Sequence, residues 1–426
     1  MPSEIVLDEL QTVAEPVELE REVAATLRDT GLVSVLPAHG GLWTVLPAGR
    51  VGAVQIGDLL VRVKPKEKVG LSRLLFLLGY AINPGFRPDD VAGEEDDDLF
   101  AALGESLTRH CERALDRGAL NGYVHVEEAL RTVRGRIRVG DQMTRRPGML
   151  LPLEVAYDDF TVDIPENRIL RAAVRLMMQV PRLSEGVRER LAHIDSKLDG
   201  VSAVRFGAPL PAWTESRLNE RYVPALRLAE IILRNMSAEA GLGQHVVASF
   251  VVNMATVFED FVTTAVREAL DLYPGETRGQ YETYMDESEV GYRNGDRVRM
   301  FVDIVHSVGG VPAMVFDAKY KAASVAGAYP NADHYQMLAY CTALDVPSAW
   351  LVYAGSGEAR RRRIRNTAVS VVEFPIDISQ QPEALLESIQ SLADQAFREF
   401  VQRHGAPMLM PVQHKQYGAG DSALVR

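Results

Sequence analysis

Apolar and polar residues alternate along the first 85 positions, most plainly in LVSVLPAHGGLWTVLPAGRVGAVQIGDLLVRVKPK, where Gly and Pro punctuate runs with a two-residue period. Side chains of a strand point to opposite faces in turn, so this period predicts a small β-rich module over residues 1–85. The period then lengthens. GLSRLLFLLGYAI and LFAALGESLTRHCERALDRGAL repeat apolar residues at helical spacing on either side of the acidic FRPDDVAGEEDDD. NGYVHVEEALRTVRGRIRVGDQM returns to strand-like alternation around Gly135. PENRILRAAVRLMMQV opens on Pro165 and Glu166, which suit a first helical turn, and further helices are expected over 182–198 and 214–241.

GLGQH at 241–245 interrupts two long helical patterns and is read as the break between halves. The second half starts with VVASFVVNMATVFEDFVTTAVREALDLY (246–273), expected as one long helix with Phe250, Met254, Phe258, Phe261 and Val262 on its apolar stripe. Strands are expected at 280–286, 299–306 and 313–320, the last two joined by the turn SVGGVP, then a helix at 332–344 and a strand at 348–354. The fold class is therefore α/β and multidomain. A β-rich and helical N-terminal half (1–242) precedes a C-terminal domain (243–404) in the order αβββαβ, with a tail at 405–426.

Composition narrows the classes. Apolar residues make up 47% and charged residues 24%, an ordinary globular balance for 426 residues, enough for two or more cores. The acidic MPSEIVLDELQTVAEPVELE has no secretory pattern, and no run approaches the roughly 20 apolar residues that span a bilayer. The expectation is a cytoplasmic protein with no membrane partner. Cys111 and Cys341 are too few for a zinc cluster or disulfide framework and read as buried apolar residues. A net charge of -12 argues against coating nucleic acid by bulk attraction, so any DNA contact is local. RTVRGRIR (131–138), Arg145-Arg146 and RRRRIR (360–365) are the basic clusters, each either a solvated surface or a contact to phosphates or a partner.

The candidate chemistry lies in the second half. Asp303 interrupts an apolar strand, and Asp317 and Lys319 share one face of the next because side chains repeat every two residues there. Two adjacent carboxylates hold a hard divalent cation such as Mg2+, with Mn2+ as a possible substitute, and a neighbouring ammonium orients water and offsets charge on a phosphorane-like transition state. The implied reaction is phosphodiester hydrolysis. D-A-K alone is weak evidence, but its setting adds to it: Asp303 on the preceding strand, Glu259 on the upstream helix, and Gln336 and Tyr340 four apart on the downstream helix. Together these resemble the PD-(D/E)xK nuclease superfamily, with Val302 standing where the first motif has Pro. The resemblance implies Asp303, Asp317 and Lys319 as catalytic residues, with Glu259 joining the two aspartates at the metal. Gln336 and Tyr340 are similar to the Q-x-x-x-Y element of RecB-like nucleases and would reach a phosphate or steady Lys319. Lys321 and His306 read more simply as an exposed strand-end lysine and a structural histidine.

The segments LLVRVKPKEKVGLSRLLFLLGYA, LRTVRGRIRV, YDDFTVDIPENRILRAA, MATVFEDFV and VFDAKYK resemble the McrC family over about residues 45–355. McrC is the endonuclease subunit of McrBC-type, 5-methylcytosine-dependent (type IV) restriction systems. That resemblance implies modified DNA as substrate and a partner McrB-like AAA+ GTPase ring, which the N-terminal half docks onto and stimulates. The chain has no G-x-x-x-x-G-K-[ST] phosphate loop of its own. Arg134 and Arg136 are either cationic contacts to that partner or a solvated strand face, and the loop around His39, Gly40, Gly41 and Trp43 is either an aromatic anchor or a tight turn with a packed indole. Two other readings stay open: a non-catalytic adaptor that activates the GTPase, and a nuclease serving DNA repair or transposition.

Overall fold

The computed structural model describes residues 4–404 apart from 66–68, 85, 87–98, 182, 205–207, 241–245, 288–296 and 321–330. The acidic run at 94–98, the expected linker at 241–245, Lys321 and the tail therefore lie outside the described residues. The chain divides into two compact units, Met1–Val257 and Phe258–Arg426.

The first unit begins with β1 (Glu4–Asp8), α1 (Arg21–Asp29), β2 (Val33–Pro37), β3 (Trp43–Pro47), β4 (Val51–Ile56) and β5 (Leu59–Lys64). The hairpin of β2 and β3 turns through Gly40 and Gly41, both at positive φ (73° and 79°), where a side chain would be strained. The half-buried Trp43 donates its indole N–H to the Leu19 carbonyl at 3.1 Å, so this loop is a tight turn over a packed ring. Helices α2 (Leu71–Ile82) and α3 (Leu99–Ala114) follow, then an arm of β6 (Gly122–Leu130), β7 (Arg136–Ile137), α4 (Val139–Arg145) and β8 (Leu153–Thr161). Next come α5 (Pro165–Met178), α6 (Glu185–Lys197) and α7 (Val223–Asn235). α5 carries Pro165 in its first turn and buries Ile169, Leu170, Ala173, Val174 and Met177, positions that a 3.6-residue period brings to one face.

β9 (Met236–Ala240) and β10 (Val246–Val252) complete a sheet of order β1-β5-β4-β10-β9. Two expectations are corrected here. The helix expected over 214–241 is confined to α7, and the helix expected from 246 starts only at Met254, because VVASFVV is β10, antiparallel to both β4 and β9. Periodicity cannot separate a short apolar run of strand from buried helix, and the β-branched valines favour the strand. Phe250 accordingly lies opposite Ala53 in the sheet, and its carbonyl sits so close to Gly52 that a Cβ there would stand 1.9 Å away. Since β10 belongs to the first unit's sheet, the break falls at Val257/Phe258 rather than at 241–245.

The second unit is built from α8 (Met254–Leu270, whose first four residues precede the break), β11 (Glu276–Tyr284), β12 (Arg299–Val308), β13 (Val311–Lys319), α9 (Asn331–Leu344), β14 (Ser348–Ala354), β15 (Arg360–Arg363), β16 (Ser370–Ile376) and α10 (Pro382–His404). The expected order αβββαβ is present from α8 to β14, and β15, β16 and α10 extend it. One six-stranded sheet runs β11-β12-β13-β14-β16-β15, antiparallel through β13, parallel across β13, β14 and β16, and antiparallel again at β15. Gly309 and Gly310, at φ 61° and 83°, make the turn from β12 into β13. One face packs Val315, Leu351, Tyr353 and Val371 with Met337, Tyr340 and Cys341 of α9. On the other lie the rings of Phe316, Trp350 and Phe374, and α10 buries Leu385, Ile389, Leu392 and Ala396. Cys111 and Cys341 are free and buried. No helix among the described residues is long and apolar enough to cross a membrane.

Candidate active site

Asp303 and Asp317 meet because of the hairpin register. Ile304 pairs with Phe316, which puts Asp303 opposite Asp317, and facing residues of antiparallel strands hold their Cβ atoms about 4.5–5.5 Å apart. Asp303 Oδ2 accepts the Ala318 backbone N–H at 3.1 Å. Asp317 is fully buried, and among the described residues its Oδ1 has no partner within hydrogen-bond geometry. Lys319 brings Nζ to 2.6 Å from Asp317 Oδ2, an ion contact rather than a well-aligned hydrogen bond.

The charges of this cluster oppose one another. Burial raises the Asp317 carboxyl to about 7, with the charge of Asp303 adding and Lys319 pulling back. Burial likewise raises Asp303 against the Ala318 N–H and Lys319. For Lys319, burial pushes the ammonium down, but the carboxylates of Asp317, Asp303 and Asp333 outweigh it and hold the group above its ordinary range. Lys319 supplies one positive charge to two buried carboxylates, so the cluster as a whole keeps room for a further cation. The donor set fits magnesium, which takes one or two carboxylates and completes its shell with water and phosphate oxygens.

Glu259 is brought near but not into contact. Burial raises its carboxyl, with Asp303 and Asp260 adding and Lys319 opposing, which places it within the same electrostatic field. Its Oε1, however, accepts Gln280 Nε2 at 2.6 Å. Gln280 occupies the register position opposite Asp303 and has φ 48°, a left-handed conformation that a non-glycine residue adopts at some cost in strain. Among the described residues no group of three or more His, Cys, Asp or Glu is arranged to hold a metal ion, so Asp303, Asp317 and Glu259 do not form a closed cage.

Gln336 and Tyr340 share one side of α9 as their spacing predicts. Gln336 Nε2 donates to the Tyr340 hydroxyl at 2.6 Å, and that hydroxyl donates to the Phe301 carbonyl at 2.7 Å. The pair ties α9 to β12, and no hydrogen bond joins either residue to Lys319. Asp333 is a site-adjacent residue that sequence reasoning missed. It is buried at the start of α9, accepts from the Tyr353 hydroxyl at 3.2 Å, and its charge raises Asp317. Its spacing to Gln336 and Tyr340 (i, i+3, i+7) is the signal that could have found it. His306 is structural, as expected: it is buried, shares a hydrogen bond with Thr277 Oγ1 at 2.8 Å, and burial lowers its pKa.

The basic clusters differ in how far their charge is used. Arg134 donates to Asp159 Oδ1 at 2.5 Å and stacks over the Tyr157 ring at 3.9 Å, whereas Arg136 is exposed and pairs with no carboxylate among the described residues. Arg146 donates to the buried Glu154 at 3.0 Å and Arg145 approaches its other oxygen at 3.7 Å, so that pair neutralises an interior carboxylate.

The family model described as McrBC 5-methylcytosine restriction system component matches residues 47–354. No curated protein matches the chain. Among solved structures, a chain of the refined half-complex from the tetradecameric assembly of Thermococcus gammatolerans McrB AAA+ hexamers with bound McrC is 16% identical. That match has a TM-score of 0.55 and covers 92% of this chain and 99% of that one, a likeness of fold. The cryo-EM structure of the Thermococcus gammatolerans McrBC complex matches at 18% identity over 63% of this chain and 88% of that one, with a TM-score of 0.36, too low to argue from. The stretch from Pro47 to Ala354 is well over half of the 426 residues and contains every segment read as McrC-like, together with Asp303, Asp317 and Lys319; the chain belongs to the McrBC 5-methylcytosine restriction system component family.

Proposed function

We propose that this chain is the nuclease subunit of a modification-dependent restriction system, an McrC counterpart whose second unit is a PD-(D/E)xK-type domain that hydrolyses DNA phosphodiesters with magnesium. Its first unit engages and stimulates an McrB-like AAA+ GTPase ring. The observation that carries this reading is Asp317: a fully buried carboxylate opposite a second carboxylate, with one oxygen 2.6 Å from the Lys319 ammonium and the other without a partner among the described residues. A core built for stability alone would not keep such a group, because an unsatisfied buried polar group costs about 1–3 kcal/mol and a charged one more.

Asp303 and Asp317 would hold the magnesium ion, which supplies Lewis acidity toward a phosphoryl oxygen and lowers the pKa of a bound water. The protein side of the chemistry follows from the geometry. The Ala318 N–H fixes one oxygen of Asp303, leaving the other for a ligand. Lys319, kept protonated by its three carboxylate neighbours, offsets negative charge that develops on the phosphoryl group. Gln336 and Tyr340 hold β12, and with it Asp303, in register through the Phe301 carbonyl. Glu259, kept by Gln280 outside direct contact, adds negative potential that favours cation entry.

The partner assignment is supported by the solved assembly to which the chain is similar, whose McrB AAA+ hexamers carry bound McrC, and by the arm of β6, β7, α4 and β8. Tyr123 and Phe160 lie exposed there with ring centroids 5.0 Å apart, and Met143, Met149 and Leu150 are also exposed. Exposed apolar groups concentrated on one arm mark a protein-binding surface. The test is cleavage of methylated and unmethylated plasmid by the chain with its GTPase partner, GTP and magnesium, comparing wild type with Asp317→Asn. Loss of cutting with GTPase stimulation intact is the expected result. Equal cutting by the two proteins would overturn the nuclease reading in favour of the adaptor.

A further inference from the structure

Gln280 stands in a backbone conformation that suits glycine. Its φ of 48° lies in the left-handed region, inside β11, between the pairs Gly279–Ile304 and Tyr281–Val302 that put it opposite Asp303. α8 packs close on the strand at this point, since a Cβ at Gly279 would stand 2.8 Å from Thr263 Cγ2. Thr263 follows Glu259 by four residues, so the side of α8 that presses on Gly279 also brings Glu259 to Gln280. There Gln280 Nε2 donates to Glu259 Oε1 at 2.6 Å, while the other oxygen of Glu259 accepts no hydrogen bond among the described residues. The charges of Asp303 and Lys319 both act on this carboxyl, which sets it beside the cluster of the candidate site. A glycine at position 280 would hold the same backbone without strain. The exposed side chain present instead makes one hydrogen bond among the described residues, the one to Glu259.

We propose that Gln280 is a positioning residue for the cation site: its amide holds one oxygen of Glu259 and thereby keeps the other beside the water shell of an ion carried by Asp303 and Asp317. The assignment rests on the cation site read at those two aspartates. Magnesium keeps several of its waters when protein carboxylates bind it, and a carboxylate outside the direct ligands accepts hydrogen bonds from them. Such a carboxylate acts only where it is held. Glutamate otherwise disperses among its rotamers, and a charge-assisted contact to an amide selects one of them. The competing explanation is that the contact only ties β11 to α8. An exposed hydrogen bond adds little to such a tie, because water competes for both partners, and the tie gives no reason to place it on a strained backbone.

The experiment is calorimetric titration of magnesium chloride into the full chain, as wild type and with Gln280→Gly, Gln280→Asn, Glu259→Gln, the pair Glu259→Gln and Gln280→Gly, or Asp317→Asn. Glycine and asparagine both accept the left-handed backbone, and neither reaches Glu259 as glutamine does. Each change at position 280 is expected to weaken magnesium binding by about tenfold, the ordinary cost of losing a group that orients a metal's surroundings. Glu259→Gln should weaken it to the same extent, and adding Gln280→Gly to it should change nothing further, because the glutamine acts through that carboxylate. Unchanged affinity in the position-280 variants, with or without a lower unfolding temperature, would overturn the proposal, as would tighter binding by them or a further loss in the pair. Binding that is lost in Asp317→Asn but indifferent to position 280 leaves the cation site standing without this role for Gln280. Binding absent from wild type, or surviving Asp317→Asn, removes the cation site itself and the role of Gln280 with it.

Discussion

Two carboxylates, one in each unit, receive opposite treatment. Asp163 in the first unit accepts two hydrogen bonds from Arg168, both 2.7 Å, and two more from Ser202, from its N–H at 2.8 Å and its hydroxyl at 2.6 Å. The Arg168 guanidinium and the Ser202 donors hold its carboxyl well below the usual carboxylate range. Asp317 in the second unit is more deeply buried, has Lys319 as its one ion partner among the described residues, and is raised to about 7 by burial. The chain can evidently satisfy a carboxylate where it serves the fold. Burying one at the centre of a sheet beside a second carboxylate, with a single ammonium for the two, is the arrangement from which the cation site is proposed.

The sharpest way to break this contrast is to remove the charge at each place. Asp317→Asn or Asp303→Asn is expected to lower magnesium-dependent plasmid cutting by about a thousandfold or more, and Lys319→Ala by about a hundredfold, as measured by initial rates under saturating partner. Asp163→Ala should leave the chemistry intact and destabilise the first unit by about 2 kcal/mol, seen as a lower unfolding temperature in calorimetry. Asp317→Asn should do the reverse, raising the unfolding temperature of the second unit by a few degrees when divalent cations are chelated, since it removes an unsatisfied buried charge.

The pH dependence separates the two groups by sign. Asp163 has a depressed folded pKa, so its contribution is present above the unfolded value of about 3.9 and is lost as pH falls below about 4. Asp317 has a raised folded pKa, so its contribution is fully present below about pH 4 and is lost as pH rises through about 7. Without divalent cations the second unit should therefore gain stability between pH 8 and pH 5, and Asp317→Asn should abolish that gain. A flat profile in wild type would remove the electrostatic argument. The smallest effect is expected at Tyr340→Phe, where one hydrogen bond to the Phe301 carbonyl is lost: about 1 kcal/mol of stability and a several-fold drop in cutting.

Much of the second unit was legible in its sequence, because two-residue alternation around Asp303, Asp317 and Lys319 fixes both the strands and the shared face. Helical spacing placed Gln336 and Tyr340 on one side of α9, but could not show that they bond each other and the Phe301 carbonyl instead of Lys319. Glu259 was legible as a neighbour and not as a residue held by Gln280, since a positive φ at a glutamine has no sequence signal. The first unit was read less well at its end. VVASFVV is apolar at nearly every position, as a central strand flanked by β4 and β9 must be, and an uninterrupted apolar run carries no period to read. β15 was visible only as a basic run, because four charges in succession hide the alternation that would otherwise report a strand.

The central claim is that Asp317 and Asp303 together take a cation, and calorimetric titration of magnesium into the full-length chain tests it without requiring turnover. Wild type should bind the ion, with binding lost in Asp317→Asn and strongly weakened in Asp303→Asn, while Asp163→Ala binds as wild type does. Equal magnesium binding by wild type and Asp317→Asn would contradict the account.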